Sequence, residues 1–149
     1  MEVKNISTNR KAFHEYHIME KFEAGMELTG SEVKSLREGR ANLKEGYITI
    51  RSGEVWAVGI HISPYSHTGF QGHEPVHDRR LLLNRREIGR LQRNVDQKGM
   101  TIVPLRLYFK NGWAKLEIAL AKGKHSYDKR ESIKAKDIKR HTEREMRNY

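Results

Sequence analysis

The sequence predicts a mainly β domain with a few helices. Three segments, residues 15–28, 46–62 and 101–121, alternate apolar and polar residues as strands with one buried face do. Between these segments lie two stretches that begin with helix-capping signals. At 149 residues, the chain is long enough for one hydrophobic core and too short for two independent cores.

Each of the three segments contains a turn signal near its middle. The strongest is Asn111-Gly112, because these residue types accept the positive φ angles that a two-residue hairpin turn requires. Ser52-Gly53 is a similar signal in the second segment, and Glu-Ala-Gly at residues 23–25 offers a turn in the first. The sequence therefore predicts six strands in three hairpins.

Two helices are predicted in the connections between the hairpins. In each, an N-cap residue is followed three positions later by a glutamate, which is the pattern of a capping box. A glycine ends each helix, Gly39 for the first and Gly99 for the second. The N-cap and glutamate pairs are Thr29 with Glu32 and Asn84 with Glu87.

Six strands with helices in their connections favour a closed or partly closed barrel, because an open sheet would expose two edges. We therefore expect an OB-like six-stranded β-barrel with peripheral helices over residues 1–121. Residues 63–80 combine turn formers with His, aromatic and Arg side chains and predict a long surface loop. Residues 122–149 hold too few apolar residues to bury a face, so we expect a basic tail that is disordered in solution, with some helical preference from Ser132 onward.

The charge of the chain indicates a polyanionic partner. Lys and Arg total 29 against 19 Asp and Glu, which gives a formal net charge of +10. Half of this excess lies in the tail, residues 122–149. On charge alone, the alternative is an ordinary basic protein without such a partner.

Several classes of protein are excluded by composition. Cysteine is absent, so disulfides and thiolate zinc sites are ruled out. The N-terminus does not resemble a signal peptide, and no apolar run is long enough to span a bilayer. We therefore expect a cytoplasmic protein without membrane contact.

Four histidines raise the question of a metal or catalytic site. His73 and His77 have the spacing of a helical ligand pair, but Pro75 lies between them and makes a helix improbable. The chain also has no Gly-rich phosphate loop after a strand and no nucleophile elbow. The other two histidines considered are His61 and His67, and no further ligands complete a site with them. We therefore expect no metal, no cofactor and no enzymatic activity.

The N-terminal segment, residues 9–16, interleaves cations with aromatic and imidazole rings, a mixture that can clamp phosphates and stack on unpaired bases. An ordinary charged N-terminus is the alternative. Glu32 also has two interpretations, since its place in a capping box already explains it without any function. The arginines of the second helix form either a solvated face or a phosphate-binding one.

Several ordered blocks of the sequence resemble the small protein B (SmpB) family, the SsrA-binding or tmRNA-binding proteins of bacteria. The resemblance covers nearly the whole chain. It is carried by Asn9-Arg10-Lys11-Ala12 with His14 and Tyr16, residues 25–40 (GMELTGSEVKSLREGR), His61-Ile62 with Pro64-Tyr65, residues 79–88 (RRLLLNRREI), residues 99–109 (GMTIVPLRLYF), and AKGK at 121–124 followed by Tyr127-Asp128-Lys129-Arg130.

The resemblance implies a role in trans-translation. Proteins of this family bind the tRNA-like domain of tmRNA, also called SsrA RNA, and accompany it to a ribosome stalled on a message without a stop codon. There the tail is expected to enter the empty mRNA channel, become helical and replace the missing codon–anticodon pairing in the decoding region. Family partners also include alanyl-tRNA synthetase and the elongation factor that delivers aminoacyl-tRNA. We expect this chain to be a monomer.

The residue patterns and the resemblance together predict two RNA-facing surfaces. The first, on the barrel, comprises Asn9, Arg10, Lys11, His14, Tyr16, Glu32, Lys34, Ser35, Arg37, Lys122 and Lys124. The second, in the tail, faces the ribosome and comprises Tyr127, Asp128, Lys129, Arg130, Lys134, Lys136, Ile138, Lys139, Arg140 and Met146. Two alternatives stay open: a generic OB-fold binder of single-stranded RNA and a metal-dependent RNA-processing enzyme that uses the histidines.

The chain departs from the usual family residues at three positions. His77 stands where Arg is common, Asn84 where His is frequent, and His125 where Lys is usual. An unperturbed histidine is mostly uncharged at neutral pH, so we expect weaker phosphate contacts at positions 77 and 125.

Overall fold

A computed structural model describes residues 3–64 and 74–124. This part of the chain contains three helices and nine strands. The helices are α1 (Arg10–Glu15), α2 (Gly30–Arg37) and α3 (Arg85–Lys98), and the strands are β1 (Val3–Thr8), β2 (Tyr16–Met26), β3 (Ala41–Asn42), β4 (Tyr47–Arg51), β5 (Glu54–Val58), β6 (His61–Ile62), β7 (Arg79–Leu82), β8 (Thr101–Lys110) and β9 (Trp113–Gly123).

Two of the predicted hairpins are confirmed. Strands β4 and β5 are joined through Ser52 and Gly53, whose φ angles are 51° and 76°. Strands β8 and β9 are joined through Asn111 and Gly112, with φ angles of 52° and 82°. Both loops therefore have the two positive φ angles of a type I′ turn, whose twist matches that of the flanking strands.

The first predicted hairpin is wrong. Strand β2 runs without a turn from Tyr16 to Met26 and pairs with β9, and its last two residues also pair with β7. Ala24 is fully buried in the core. A Cβ atom on Gly25 would lie 3.3 Å from the Leu82 Cβ, so this glycine marks a close approach of β7 instead of a turn.

Seven strands form one antiparallel sheet in the order β1-β8-β9-β2-β7-β5-β4, and β3 pairs with β6. Within residues 3–64 and 74–124, the end strands β1 and β4 are not hydrogen bonded to each other. The sheet is therefore not closed, and the OB-like barrel is not confirmed, whereas the mainly β fold with a few helices is. The two edge strands limit pairing with another chain in different ways. Strand β4 has only five residues, and β1 has a register shift between Asn5 and Ser7.

Both predicted helices are confirmed with complete capping boxes, Thr29 with Glu32 on α2 and Asn84 with Glu87 on α3. Gly99 is the left-handed C-cap of α3. Helix α1 is absent from the sequence-based prediction because its third helical residue is Ala12, which cannot complete a capping box.

The sheet packs apolar side chains on both faces. The larger cluster lies under α2 and α3 and includes Leu36 and Leu91, both fully buried. The smaller cluster lies under α1 and joins Ala12 to four buried residues of β8 and β9: Val103, Leu105, Ala119 and Ala121. No described helix is long and apolar enough to cross a membrane.

The predicted loop at residues 63–80 is shorter than expected, because β7 already begins at Arg79, whose side chain is buried. Residues 65–73, with His67 and His73, lie outside the described residues. So do residues 125–149 and with them all ten predicted tail residues. Strand β9 continues to Gly123, two residues beyond the predicted end of the folded domain.

Candidate nucleic-acid interface

Asn9 attaches helix α1 to strand β8. Its side-chain oxygen accepts a hydrogen bond from the Ala12 amide at 3.3 Å, and its side-chain nitrogen donates to the Pro104 carbonyl at 2.9 Å. Its backbone amide donates to the Leu105 carbonyl at 2.8 Å. With only 7% of its surface exposed, Asn9 has a structural role that its predicted place on the RNA surface did not anticipate.

The end of β9 lies beside α1 and brings two predicted cations to it. Tyr16 is opposite Gly123, and the Lys124 amide donates to the Glu15 carbonyl at 2.8 Å. Lys122 lies on the same strand end, opposite His17. Six predicted residues therefore lie together at this end of the sheet. We call them the α1 surface: Arg10, Lys11, His14, Tyr16, Lys122 and Lys124.

A cleft of about 220 Å³ adjoins the α1 surface, between α1 and the segment that leads into β4. Lys11 and Tyr16 line it, together with Lys44 and Tyr47. Tyr47 is 55% exposed and can offer a ring face to a ligand. The sequence analysis missed Lys44 and Tyr47, since nothing local relates them to a helix 30 residues earlier in the chain.

Helix α2 carries the remaining predicted residues but lies toward the other end of β8. Lys4 is opposite Phe109 in the sheet and donates a hydrogen bond to the Arg37 carbonyl at 3.4 Å. Asn9, by contrast, is bonded to Pro104. Five residues of strand separate Pro104 from Phe109, which is roughly 17 Å. The predicted barrel residues therefore form two groups and not one continuous surface.

Only two of the four predicted α2 residues are accessible. Lys34 and Arg37 are exposed, whereas Glu32 and Ser35 have no exposed surface. The Ser35 hydroxyl has no hydrogen-bond partner among the described residues. Direct contact between RNA and either buried residue is excluded in this conformation, so any effect of Glu32 on RNA binding must act through other side chains.

Glu32 is the centre of a buried charge network. One carboxylate oxygen accepts a hydrogen bond from the Thr29 amide at 2.9 Å and completes the capping box. The other is bonded to Arg79 Nε and lies 2.9 Å from His77 Nε2. Burial by itself raises the pKa of Glu32, but the hydrogen bonds from Thr29 and Arg79 bring that pKa below its ordinary value.

Arg79 connects this network to the polypeptide around β6 and β7. Its terminal nitrogens donate to the Ile60 carbonyl at 2.7 Å and to the Pro75 carbonyl at 3.1 Å. Arg79 is only 1% exposed, which is rare for arginine and requires that its charge be paired. The arginine therefore ties α2 to the segment that precedes β7, and His77 adds a second contact to Glu32.

The charged residues of the α1 surface itself are cations, whereas the adjoining cleft is lined by Glu15 and Glu45 as well as by Lys11 and Lys44. Within residues 3–64 and 74–124, no group of three His, Cys, Asp or Glu side chains is arranged to hold a metal ion. His61 lies in β6, whereas His77 contacts Glu32. The exposed lysines and arginine can bind phosphates, and the ring faces can stack on bases.

Comparison with known proteins identifies the family. The model of the SmpB protein family matches residues 6–148. An SsrA-binding protein of Sulfurihydrogenibium sp. (strain YO3AOP1) is 55% identical over 99% of this chain and 97% of its own length. One from Trichodesmium erythraeum (strain IMS101) is 54% identical over 98% of this chain and 94% of its own length.

A comparison of folds points to the same family. It is described as "tmRNA-SmpB: a journey to the center of the bacterial ribosome", and its matching chain is 39% identical with a TM-score of 0.67. The match covers 85% of this chain and 92% of the other. Together with the family model over residues 6–148, these matches show that the chain belongs to the SmpB protein family.

Proposed function

We propose that this protein binds the tRNA-like domain of tmRNA and delivers it to ribosomes stalled on messages that lack a stop codon. The relatives named above are SsrA-binding proteins, and the similar solved structure concerns tmRNA, SmpB and the bacterial ribosome. The protein acts as a binding partner in the cytoplasm, not as an enzyme. Alanyl-tRNA synthetase and the elongation factor that delivers aminoacyl-tRNA act on the same RNA.

The α1 surface is the observation that carries the proposal. Arg10 and Lys11 are exposed on a helix whose position is fixed by Asn9, and the end of β9 that carries Lys122 and Lys124 is hydrogen bonded next to this helix. A rigid array of cations with ring faces suits a folded RNA, whose phosphates and 2′-hydroxyls have fixed positions. Lys34 and Arg37 on α2 provide a second point of contact, which Glu32 supports by holding the helix in place.

The tail completes the proposed mechanism. Since β9 ends at Gly123 beside α1, the tail leaves the folded domain at the α1 surface. RNA bound there is thus adjacent to the segment that enters the empty mRNA channel. In that channel, the cations Lys129, Arg130, Lys134, Lys136, Lys139 and Arg140 neutralise phosphates, the helix forms on binding, and Ile138 and Met146 supply its few apolar contacts.

A binding competition tests the proposed RNA specificity. The full chain is titrated at fixed salt with the tRNA-like domain of tmRNA, an ordinary tRNA and an unstructured RNA of equal length. We expect the tRNA-like domain to bind at least tenfold more tightly than the unstructured RNA, because a fixed array reads shape as well as charge. Equal affinities would contradict the proposal and support a generic single-strand binder.

A further inference from the structure

The chain immediately before β7 is attached to the rest of the domain at both of its ends. We call residues 75–78 the approach segment. At its start, the Pro75 carbonyl accepts a hydrogen bond from the Ile62 amide at 2.9 Å. At its end, the Asp78 carboxylate is paired with Arg51, the last residue of β4. Between these two attachments lies a histidine that contacts helix α2.

This histidine, His77, has an acceptor oxygen beside each of its ring nitrogens. Nε2 lies 2.9 Å from a carboxylate oxygen of Glu32, and Nδ1 lies 3.0 Å from the carbonyl oxygen of Asp78. A neutral imidazole carries one N–H, whereas the protonated ring carries two. Because an ionised carboxylate and a carbonyl can only accept, His77 makes both hydrogen bonds at once only when its ring is protonated.

The charges that face the His77 ring come from α2 and β7. Glu32 has no exposed surface, and its pKa lies below its ordinary value, so its carboxylate is ionised at neutral pH and favours a positive ring. Arg79 Nε is bonded to the same carboxylate oxygen, and Arg79 Nη1 donates to the His77 carbonyl at 3.4 Å. The guanidinium of Arg79 therefore opposes a second positive charge, while the carboxylate between the two cations favours it.

The other titratable groups near the approach segment are engaged elsewhere or exposed. The Asp78 carboxylate is neutralised by Arg51. His61 on β6 lies opposite Val76, and Glu74 precedes the segment; both are exposed. Within residues 3–64 and 74–124, Glu32 is thus the group that gives the protonated His77 ring an ionic partner.

The two sides of this contact differ in their access to solvent. The His77 side chain is 37% exposed, whereas Glu32 is completely buried. Protons from solvent can therefore reach the ring while the carboxylate stays shielded. Histidine is the side chain whose charge ordinarily changes between about pH 5 and 8. The strength of this contact can accordingly change near neutral pH, whereas the pair of Glu32 with Arg79 keeps both its charges.

We propose that His77 is a proton-dependent contact between the approach segment and helix α2, which makes the stability of the folded domain sensitive to pH near neutrality. The protonated ring donates to Glu32 and to the Asp78 carbonyl, and its bond to the carboxylate is charge-assisted. The neutral ring has lost one N–H, so that one of its nitrogens presents a lone pair to an acceptor oxygen. This inference does not depend on the proposed function.

The direction of the pH dependence follows from which form the folded chain favours. Both contacts favour the protonated ring of His77, and neither exists in the unfolded chain. Their stabilisation is therefore fully present below about pH 6.5, where a histidine of the unfolded chain becomes protonated. It is lost as the pH rises and the folded ring gives up its proton.

Urea unfolding of the full chain between about pH 5.5 and 8.5 tests the proposal. His77→Arg is the reference, because arginine keeps its charge throughout this range. We expect the unfolding equilibrium constant of the unaltered protein, divided by that of His77→Arg at the same pH, to rise about fivefold from the lowest pH to the highest. For His77→Gln, which can donate but does not titrate, the same ratio should stay constant.

His61→Gln is the matched control, since His61 is an exposed histidine opposite the approach segment. It should retain the full rise of the unaltered protein. As a direct readout, the ¹⁵N spectrum of the His77 ring in the unaltered protein should show both nitrogens protonated at the lowest pH and one at the highest. This readout does not depend on how well any variant folds.

Three results would overturn the proposal. One is a ratio of the unaltered protein to His77→Arg that does not change with pH. Another is a rise that persists in His77→Gln or disappears in His61→Gln, since either would assign the pH dependence to a different group. The third is a His77 ring with only one protonated nitrogen over the whole pH range.

Discussion

The two ends of strand β8 present cations in different ways. At the α1 end, Arg10 and Lys11 project from a short helix that a single asparagine anchors. At the α2 end, Lys34 and Arg37 project from a helix whose first turn contains a fully buried carboxylate, itself bonded to a buried arginine. Substitution at the first end should therefore alter affinity alone, whereas disruption of the buried pair at the second should alter stability first.

The largest effect is expected from Arg79→Met. Removal of the guanidinium leaves the Glu32 carboxylate buried without its main partner and should lower the free energy of unfolding by about 3–5 kcal/mol. Urea unfolding of the full chain measures this loss. Arg80→Met is the matched control, because Arg80 forms exposed ion pairs with Glu27 and Glu54 and should cost under about 1 kcal/mol. Similar losses for both variants would contradict the buried-pair account.

The pH dependence of the unfolding free energy of Glu32→Gln tests the buried pair at the α2 end. Gln can still accept the Thr29 hydrogen bond but leaves Arg79 without a counter-charge, so we expect a loss of about 2 kcal/mol at pH 7. The pKa of Glu32 is lower in the folded protein than its ordinary value of 4.5. Its ionic stabilisation is therefore fully present above about pH 4.5 and is lost as the pH falls through the folded pKa.

The difference in unfolding free energy between Glu32→Gln and the unaltered protein should accordingly shrink in acid. Urea titrations at pH 7, 5 and 3 measure it. A purely capping role predicts instead a difference near zero at every pH. The capping box that the sequence predicts for Glu32 does not anticipate its buried pair with Arg79.

Exposed cations at the α1 end should produce a smaller and purely electrostatic effect. The double substitution Arg10→Ala and Lys11→Ala should reduce the salt slope for the tRNA-like domain by about 1.8, the loss of two phosphate contacts, and leave thermal unfolding unchanged. Arg51→Ala is the control, because Arg51, the last residue of β4, is exposed but paired with Asp78. An unaltered slope in the double variant would remove the α1 surface from the RNA interface.

The smallest effect on RNA affinity is expected from the tail. A chain that ends at Lys124 retains the α1 surface and should bind the tRNA-like domain within severalfold of the full chain. Replacement of Asp128, Lys129 and Arg130 by Ala in the full chain should likewise preserve this affinity but abolish peptide tagging on ribosomes with a truncated message. Equal losses in the binding and tagging assays would show that the tail is part of the RNA-binding surface.

Features decided by a few neighbouring residues could be predicted from the sequence. The Ser52-Gly53 and Asn111-Gly112 turns and both capping boxes are local, and each is found where the sequence indicates. Strands β1 and β7 depend instead on pairing with distant partners, which no local pattern specifies.

In the candidate site, too, local features could be predicted and contacts between distant residues could not. Exposed cations such as Lys34 could be identified from charge alone. The partner of Glu32 could not, because Arg79 is 47 positions away and arginine is rarely buried. Asn9 was predicted to bind RNA because its structural partner could not be seen locally. That partner, the Pro104 carbonyl, lies 95 positions further along the chain.

The position of β9 has a mechanical consequence. This eleven-residue strand is hydrogen bonded on both sides, to β8 and to β2, almost to the point where the tail begins. Tension applied to the tail along the strand acts at right angles to those hydrogen bonds, so that they share the force instead of opening one by one. A pull on the tail along β9 is therefore resisted by two neighbouring strands at once, β8 and β2.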